Sequence, residues 1–288
     1  MVAGTAGAAV FRQLEPLPER EYAQLQMLRK RLASFGRVCV AYSGGVDSAL
    51  VAAIAREQLG PQAFAVTGVS PALAPELLDE ARQQAAWLEI RHQECMTQEL
   101  DDPAYSSNPT DRCFACKREL HRHLGPIAQS AGGAQVVDGV NHDDLGEHRP
   151  GIEAGRQAGV RSPLAELEIG KAGVRQMSRA LGFPWWDKPA QPCLASRFPY
   201  GNSITAQRLR QVGLAEAWLR TLGFAEVRVR SQGLAARIEV PADRIEDVVL
   251  ELDREQVVAH FLALGFTSIS LDLEGLVSGK LNRTGQVH

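Results

Sequence analysis

The hexapeptide Ser43-Gly44-Gly45-Val46-Asp47-Ser48 lies between a continuous apolar run, Val38 to Tyr42, and the alanine-rich stretch Ala49 to Gln58. A short apolar run ending in glycines reads as a buried strand, and the longer segment after it reads as a helix. Strand, glycine turn and helix make a mononucleotide-binding unit. Successive glycines let backbone N–H groups close around an anion, the two serine hydroxyls add donors, and the start of the helix adds a favourable partial charge. The Walker lysine, which serves the β- and γ-phosphates, is missing, so γ-phosphoryl transfer is disfavoured.

The same rhythm continues along the chain. Pro16 to Leu32 has helical spacing of Leu17, Tyr22, Leu25, Leu28 and Leu32,. Ala63 to Val69 reads as a buried strand, Ala74 to Leu88 as a helix, Ile90 to Cys95 as a short strand, and Gln135 to Val140 as a further strand,. Lys171 to Leu181 is a helix closed by Gly182 and Pro184,. This alternation predicts an α/β domain built on a parallel sheet covered on both faces. From about Pro189 the loop DKPAQPCLASRFPYGNSIT leaves little room for regular structure, and a domain boundary is expected there, dividing the chain into 1–188 and 189–288,. Beyond it, LRTLGFAEVRVR and FLALGFTSISLD resemble each other, each a helix end, a Leu-Gly-Phe turn and an alternating strand, which predicts a second, smaller α+β domain,.

Charge narrows the partners. A formal net charge of -3 over 288 residues lacks the basic excess that drives binding to a phosphate backbone, so no nucleic-acid partner is expected. No apolar run approaches the roughly 18 residues of a membrane span, and the start MVAGTAGAAVFRQ has no basic stretch before its apolar residues, which leads to a cytoplasmic expectation with no membrane partner,. The 5 cysteines are odd in number and unevenly placed, against a fully paired secreted framework. Cys39 and Cys95 sit in strand-like runs and read as small buried hydrophobes,.

Cys113 and Cys116 form a Cys-x-x-Cys pair in NPTDRCFACK, and Cys193 lies in CLASR far downstream. Thiolates two residues apart can chelate one soft metal or an iron–sulfur cluster, and the nearby cations Arg112, Lys117 and Arg197 favour the thiolate form. Zinc wants four closed ligands, the fourth open to His121 or His123, and an unligated or reactive set of thiols fits the same spacing. Arg228 and Arg230 alternate along EVRVR and so share a face, where guanidinium groups suit planar anions,. Asn141, Asp143 and Asp144 follow a strand end, where open α/β sheets place ligand sites,. Trp185 and Trp186 read as packing residues.

The loop SGGVDS resembles that of the PP-loop ATP pyrophosphatase superfamily, the adenine nucleotide alpha hydrolase-like fold. The pieces NPTDRCFACK, DGVNHDDLGEHRPG, SPLAELEIGKAGVRQ, WDKPAQPCLASRFPYGNSIT and VRVR resemble, over nearly the whole chain, the LarE family of ATP-dependent sulfurtransferases. That resemblance implies cleavage of ATP between its α- and β-phosphates with Mg2+, adenylation of a carboxylate of pyridinium-3,5-biscarboxylic acid mononucleotide, and its conversion to a thiocarboxylate during biosynthesis of the nickel-pincer nucleotide. It implies nucleotide binding by Ser43, Gly44, Gly45, Asp47, Ser48, Asn141 and Asp144, with Asp47 also helping to hold the metal. Substrate contacts fall to Lys117, Ser196, Arg197, Arg228, Arg230 and Glu216, with Glu239 a further metal or substrate ligand. Members differ in sulfur source: some sacrifice the cysteine matching Cys193, whereas others hold a 4Fe-4S cluster on three cysteines, here Cys113, Cys116 and Cys193. The presence of all three favours the cluster. A homo-oligomer, a sulfur donor and a downstream nickel-insertion protein are the implied protein partners. The rival readings are a PP-loop tRNA thiolase, which must hold a polyanion, and an ATP-binding regulator with structural zinc.

Overall fold

A computed structural model of the chain describes residues 11, 13–146, 150–277, 279–280 and 283. Residues 1–10, which carry most of the opening segment read above, and 147–149, within DGVNHDDLGEHRPG, lie outside the described residues. In chain order the elements are α1 (Glu19–Ala33), β1 (Val38–Ala41), α2 (Val46–Leu59), β2 (Ala63–Val69), α3 (Pro75–Trp87), β3 (Arg91–Met96), the short helix α4 (Pro103–Ser106), α5 (Arg112–Ser130), β4 (Gln135–Val137), α6 (Pro150–Gln157), α7 (Pro163–Glu166), α8 (Lys171–Ala180), α9 (Ala206–Thr221), β5 (Arg228–Gln232), β6 (Ala235–Glu239), α10 (Ile245–Leu250), α11 (Arg254–Ala263) and β7 (Ser268–Leu271). The chain falls into two compact units. One comprises the described residues up to Glu99 together with Cys113–Gln191, and the other Leu100–Arg112 with the described residues from Pro192 onward.

The first unit is built on a 4-stranded sheet in the order β3-β2-β1-β4, and every pairing in it is parallel. Strands β1 and β2 are apolar on both sides because both faces of the sheet are covered there, whereas the edge strand β3 is polar and largely exposed,. Val38, Val40, Ala63 and Ala65 point into a core shared with α1, α2 and α8. Cys39, Phe64, Val66 and Cys95 point the other way, onto Leu124 and Ala128 of α5. Helix α2 is buried almost all round: Ala49, Leu50, Val51, Ala52, Ala53, Ile54 and Ala55 are each 0% exposed. Its small side chains let it lie close to the sheet while α1 and α8 pack over its outer face,.

Boundaries depart from the periodicity where backbone chemistry intervenes. Helix α1 begins at Glu19, not Pro16, because Pro18 is extended, at φ -55 and ψ 153. Strand β4 ends at Val137, three residues short of the expected Val140; the next residue, Asp138, accepts the Val140 N–H at 3.1 Å and turns the chain. Periodicity also overlooks α5, whose 19 residues include an internal Pro126 and many charges, so that apolar positions are too sparse to signal a helix,.

The second unit holds a 3-stranded sheet in the order β5-β6-β7. The β5–β6 hairpin is antiparallel, and β7 adds parallel to β6. Gly233, at φ 62, opens the hairpin turn,. Each Leu-Gly-Phe sequence is a helix stop: Gly223 and Gly265 take φ 93 and 95, and the N–H groups of Phe224 and Phe266 return to the Leu219 and Phe261 carbonyls at 3.2 and 3.1 Å. Such a left-handed closure suits glycine, and both phenylalanines are buried,. The first unit uses the same device, with Gly182 at φ 76 and the Phe183 N–H on the Ser178 carbonyl at 2.9 Å. The resemblance between the segments is therefore a shared way of ending helices.

Candidate active site

The strand order reverses direction at β1, whose neighbours are β2 on one side and β4 on the other. In open α/β sheets such a switch point leaves a crevice beyond the carboxyl ends of the strands. The hexapeptide follows β1 at that point, and the segment Asp138 to Asp144 follows β4. Gly44 takes φ +71, and a Cβ on it would lie 3.0 Å from Ala81 Cβ, so both conformation and space demand glycine,. Hydroxyls close the loop: Ser43 Oγ lies 3.1 Å from Ser48 Oγ, accepts the Gly45 N–H at 3.3 Å, and Ser48 Oγ donates to the Gly45 carbonyl at 3.1 Å. No side chain caps α2 at Gly45, which leaves its first N–H groups directed at an incoming anion.

Gly139 was not singled out by the sequence, yet it shapes the site. A Cβ there would lie 2.6 Å from the Ser48 nitrogen and 2.8 Å from Ser48 Cα, so only glycine lets the strand β4 exit pass the start of α2. The Asp-Gly pair ending a strand was the available signal. Beyond it, Asn141 Nδ2 donates to Asp47 Oδ1 at 3.0 Å. The Asn141 N–H donates to Asp144 Oδ2 and the Asp144 N–H to Asn141 Oδ1, each at 3.2 Å, and Lys171 Nζ lies 3.4 Å from Asp144 Oδ1. Burial pushes the Asp47 carboxyl above its ordinary range, the Asn141 hydrogen bond opposes this, and the nearby Asp144 charge adds to it. Asp143 accepts the Lys171 N–H at 2.7 Å and so caps α8,.

Cys113 and Cys116 lie in the first turns of α5, exposed and half-buried respectively. Three residues apart, they share a helix face. His121 is about 12 Å farther along the axis than Cys113 at 1.5 Å per residue, too far to complete a zinc site with it. It is buried, and burial followed by the Lys117 charge lowers its pKa to about 4. His123 is engaged with Glu119 at 2.9 Å. Lys117 is exposed. Cys39 and Cys95 are buried as read, and burial raises the Cys39 thiol to about 12. Trp185 packs against Trp87 and Phe183 at ring distances of 5.1 and 5.6 Å, and Trp186 joins the same core.

In the second unit Cys193 is exposed and begins a short 3-10 turn, Leu194–Arg197. The turn delivers a buried arginine. Arg197 makes a bidentate pair with Glu216, Nε to Oε1 at 2.7 Å and NH2 to Oε2 at 2.9 Å, and reaches the Pro192 carbonyl and Ser196 Oγ, each at 2.9 Å. Glu216 also accepts the Val229 N–H at 2.9 Å and Arg220 NH2 at 3.0 Å. Burial alone would lower the Arg197 pKa, but the Glu216 carboxylate more than offsets it,. Arg230 pairs with Glu239 at 2.9 Å and also donates to the Ser196 carbonyl. Glu216 and Glu239, both 0% exposed, therefore neutralise Arg197 and Arg230.

Arg228 differs. Among the described residues its guanidinium makes no ion pair or hydrogen bond, and burial, together with the like charges of Arg197 and Arg230, pushes its pKa down. A half-buried guanidinium beside two already neutralised ones is a centre of uncompensated positive charge. In the same unit Asn108, at φ 58, donates to the Pro199 carbonyl at 2.8 Å, and Arg112 lies 5.1 Å from the Tyr200 ring. These contacts tie NPTDR to the loop after CLASR. Among the described residues, no three His, Cys, Asp or Glu side chains converge to hold a metal ion, and no helix is long and apolar enough to cross a membrane.

A sequence profile of the asparagine synthase family matches residues 25–107, the stretch that contains the phosphate loop. An uncharacterized protein of Synechocystis sp. is 52% identical over 91% of this chain and 97% of its own. Pyridinium-3,5-bisthiocarboxylic acid mononucleotide synthase of Lactiplantibacillus plantarum is 39% identical over 88% of this chain and 91% of its own. A glutamine-hydrolyzing GMP synthase subunit of Halobacterium salinarum is 25% identical over 59% of this chain and 56% of its own. Sheet, switch point and glycine loop make this chain a PP-loop α/β enzyme that uses ATP. Within that class it belongs to the family of pyridinium-3,5-bisthiocarboxylic acid mononucleotide synthase.

Proposed function

We propose that the protein adenylates a carboxylate of pyridinium-3,5-biscarboxylic acid mononucleotide with ATP and converts it to a thiocarboxylate, releasing pyrophosphate and then AMP. The observation that carries this reading is the glycine loop at the switch point with Asp47 clamped by Asn141, in a chain 39% identical to a pyridinium-3,5-bisthiocarboxylic acid mononucleotide synthase. A carboxylate oxygen attacks the α-phosphorus and pyrophosphate leaves. A sulfur nucleophile then attacks the acyl carbon and AMP leaves with the C–O bond electrons. Ser43, Gly44, Gly45 and Ser48 grip the departing pyrophosphate, and Asp144 and Asn141 orient Asp47.

Mg2+ suits Asp47 and Asp144, two neighbouring carboxylates whose mutual repulsion a divalent cation relieves,. The second domain, 189–288, takes the mononucleotide. Arg228 meets its phosphate or free carboxylate, Arg230 and Ser196 line the same site, Glu216 serves it by holding Arg197, and Lys117 is a phosphate contact. The soft thiolates of Cys113, Cys116 and Cys193 fit an iron–sulfur cluster better than a hard cation,. When bound, that cluster supplies a transferable sulfide; without it Cys193 itself is the donor. The acidic balance of the chain supports a small-molecule substrate over tRNA,. A cytoplasmic homo-oligomer that receives sulfur from a donor and passes product to a nickel-insertion protein completes the reading.

The test supplies ATP and the biscarboxylic mononucleotide and follows AMP, pyrophosphate and thiocarboxylate. Substrate-dependent AMP with an equal amount of thiocarboxylate is expected; ATP binding without AMP would identify a regulator and overturn the reading. Iron and acid-labile sulfide per chain, measured on protein handled without oxygen with Cys113→Ala as control, separate the sulfur sources. About four irons, lost in the control, are expected.

A further inference from the structure

Lys188 is a cation at the phosphate loop that the sequence reading left unassigned. It closes the segment Trp185 to Lys188, where its backbone N–H returns to the Trp185 carbonyl at 3.1 Å and Trp185 is fixed in the aromatic cluster with Trp87 and Phe183. Its side chain is 15% exposed. From this anchored position Nζ donates to the Gly44 carbonyl at 3.5 Å and to Glu80 Oε2 of α3. Glu80 immediately precedes Ala81, the residue that Gly44 packs against. An ammonium, a carboxylate and the anion-binding loop thus converge on one glycine.

The pair has a functional asymmetry. Lys188 is largely withdrawn from water, whereas Glu80 is 42% exposed, so the carboxylate can return to solvent at little cost. A loop whose N–H groups and helix start favour an anion gains from an ammonium, but a carboxylate beside it repels the same anion. We propose that Glu80 stands in for a phosphate on Lys188 while the loop is empty, and that ATP displaces it, transferring Lys188 to the polyphosphate chain. Glu80 thereby moderates the affinity of the loop for ATP, and its negative charge favours release of pyrophosphate. This inference rests on the reading that ATP occupies this loop.

Titration of ATP and of adenosine into the wild type, Lys188→Met, Glu80→Gln and the double variant tests it. Lys188→Met should weaken ATP about tenfold or more while leaving adenosine within about twofold. Glu80→Gln should tighten ATP about two- to fivefold, and this gain should vanish in the Lys188→Met background. Weakening of ATP by both single variants would make the pair merely structural and overturn the proposal. An equal gain from Glu80→Gln in both backgrounds would also overturn it, as a general charge effect. Thermal melts of each variant confirm that the folded protein is being titrated. Absence of ATP binding by the wild type would instead overturn the reading beneath the proposal.

Discussion

Asn141 Nδ2 donates to Asp47 Oδ1 across 94 residues of sequence, at 3.0 Å. The bond joins the first turn of α2 to the exit of β4 and fixes a half-buried carboxylate whose ionisation desolvation opposes. The amide is the largest influence that favours the charged form, so its removal should raise the Asp47 pKa further. Asn141→Ala is expected to lower AMP formation by about 10- to 100-fold at neutral pH, as loss of a hydrogen bond to a charged group does. The acid limb of the pH–rate profile should move to higher pH. An unmoved limb would separate Asp47 from the rate.

The same carboxylate sets a stability prediction. Its folded pKa lies above the 3.8 of an unperturbed aspartate. As pH rises through 3.8 the unfolded chain releases this proton first, and stability is lost until the folded value is passed,. Asp47→Asn keeps an acceptor for Asn141 without the charge. At pH 7 it should melt higher than the wild type by about 2 °C or more. That difference should disappear at pH 3, while adenylation should be abolished. Melting curves across that range check the sign.

Gly139→Ala forces a methyl group to within 2.6 Å of the Ser48 nitrogen. Backbone cannot yield there without moving the start of α2, so a cost of about 1–3 kcal/mol is expected from overpacking. ATP affinity should fall at least about tenfold, because the displaced N–H groups are those that face phosphate. Denaturant unfolding and ATP titration measure the two losses.

In the second unit Glu216 and Arg228 should respond oppositely. Glu216→Ala leaves Arg197 buried and without its bidentate partner, and should destabilise the protein by about 3–5 kcal/mol. Arg228→Gln removes a charge that forms no ion pair among the described residues and is repelled by Arg197 and Arg230. Stability should be unchanged or slightly higher, while the KM for the mononucleotide should rise about tenfold or more. A loss of stability without a KM effect would place Arg228 outside the substrate site.

Thiol labelling with iodoacetamide should sort the cysteines by environment. Cys113 and Cys193 are exposed and should react in the folded protein. Cys39 is buried with its thiol raised to about 12, and it should react only on unfolding. Mass spectrometry of the labelled peptides reads the order. Early reaction of Cys39 would contradict its place on β1, packed under α5.

Much of the fold is legible in the sequence alone. Ala63 to Val69 is a strand with the expected limits, and the run from Val38 and the helix from Lys171 are placed as the periodicity implied. Those elements carry their signal locally, in apolar spacing and in glycines that must take positive φ. The hexapeptide likewise implies its own chemistry, because anion binding by a glycine turn and a helix start needs only neighbouring residues. Helix α5 was not legible, since its charged face and Gly125-Pro126 obscure the few positions that pack on the sheet. Arg228 and Arg230 share a strand and a residue type, and pattern alone gave them one role. The fold pairs Arg230 with Glu239 and leaves Arg228 without such a partner. The Asp138-Gly139 pair hinted at a turn, but the closeness of Gly139 to Ser48, the bond of Asn141 to Asp47 and the place of Lys188 between Gly44 and Glu80 were not legible. Local composition decides what a segment can form. Which charge is neutralised, and which is left for a ligand, depends on partners brought together from far along the chain, and desolvation gives those partnerships their energy.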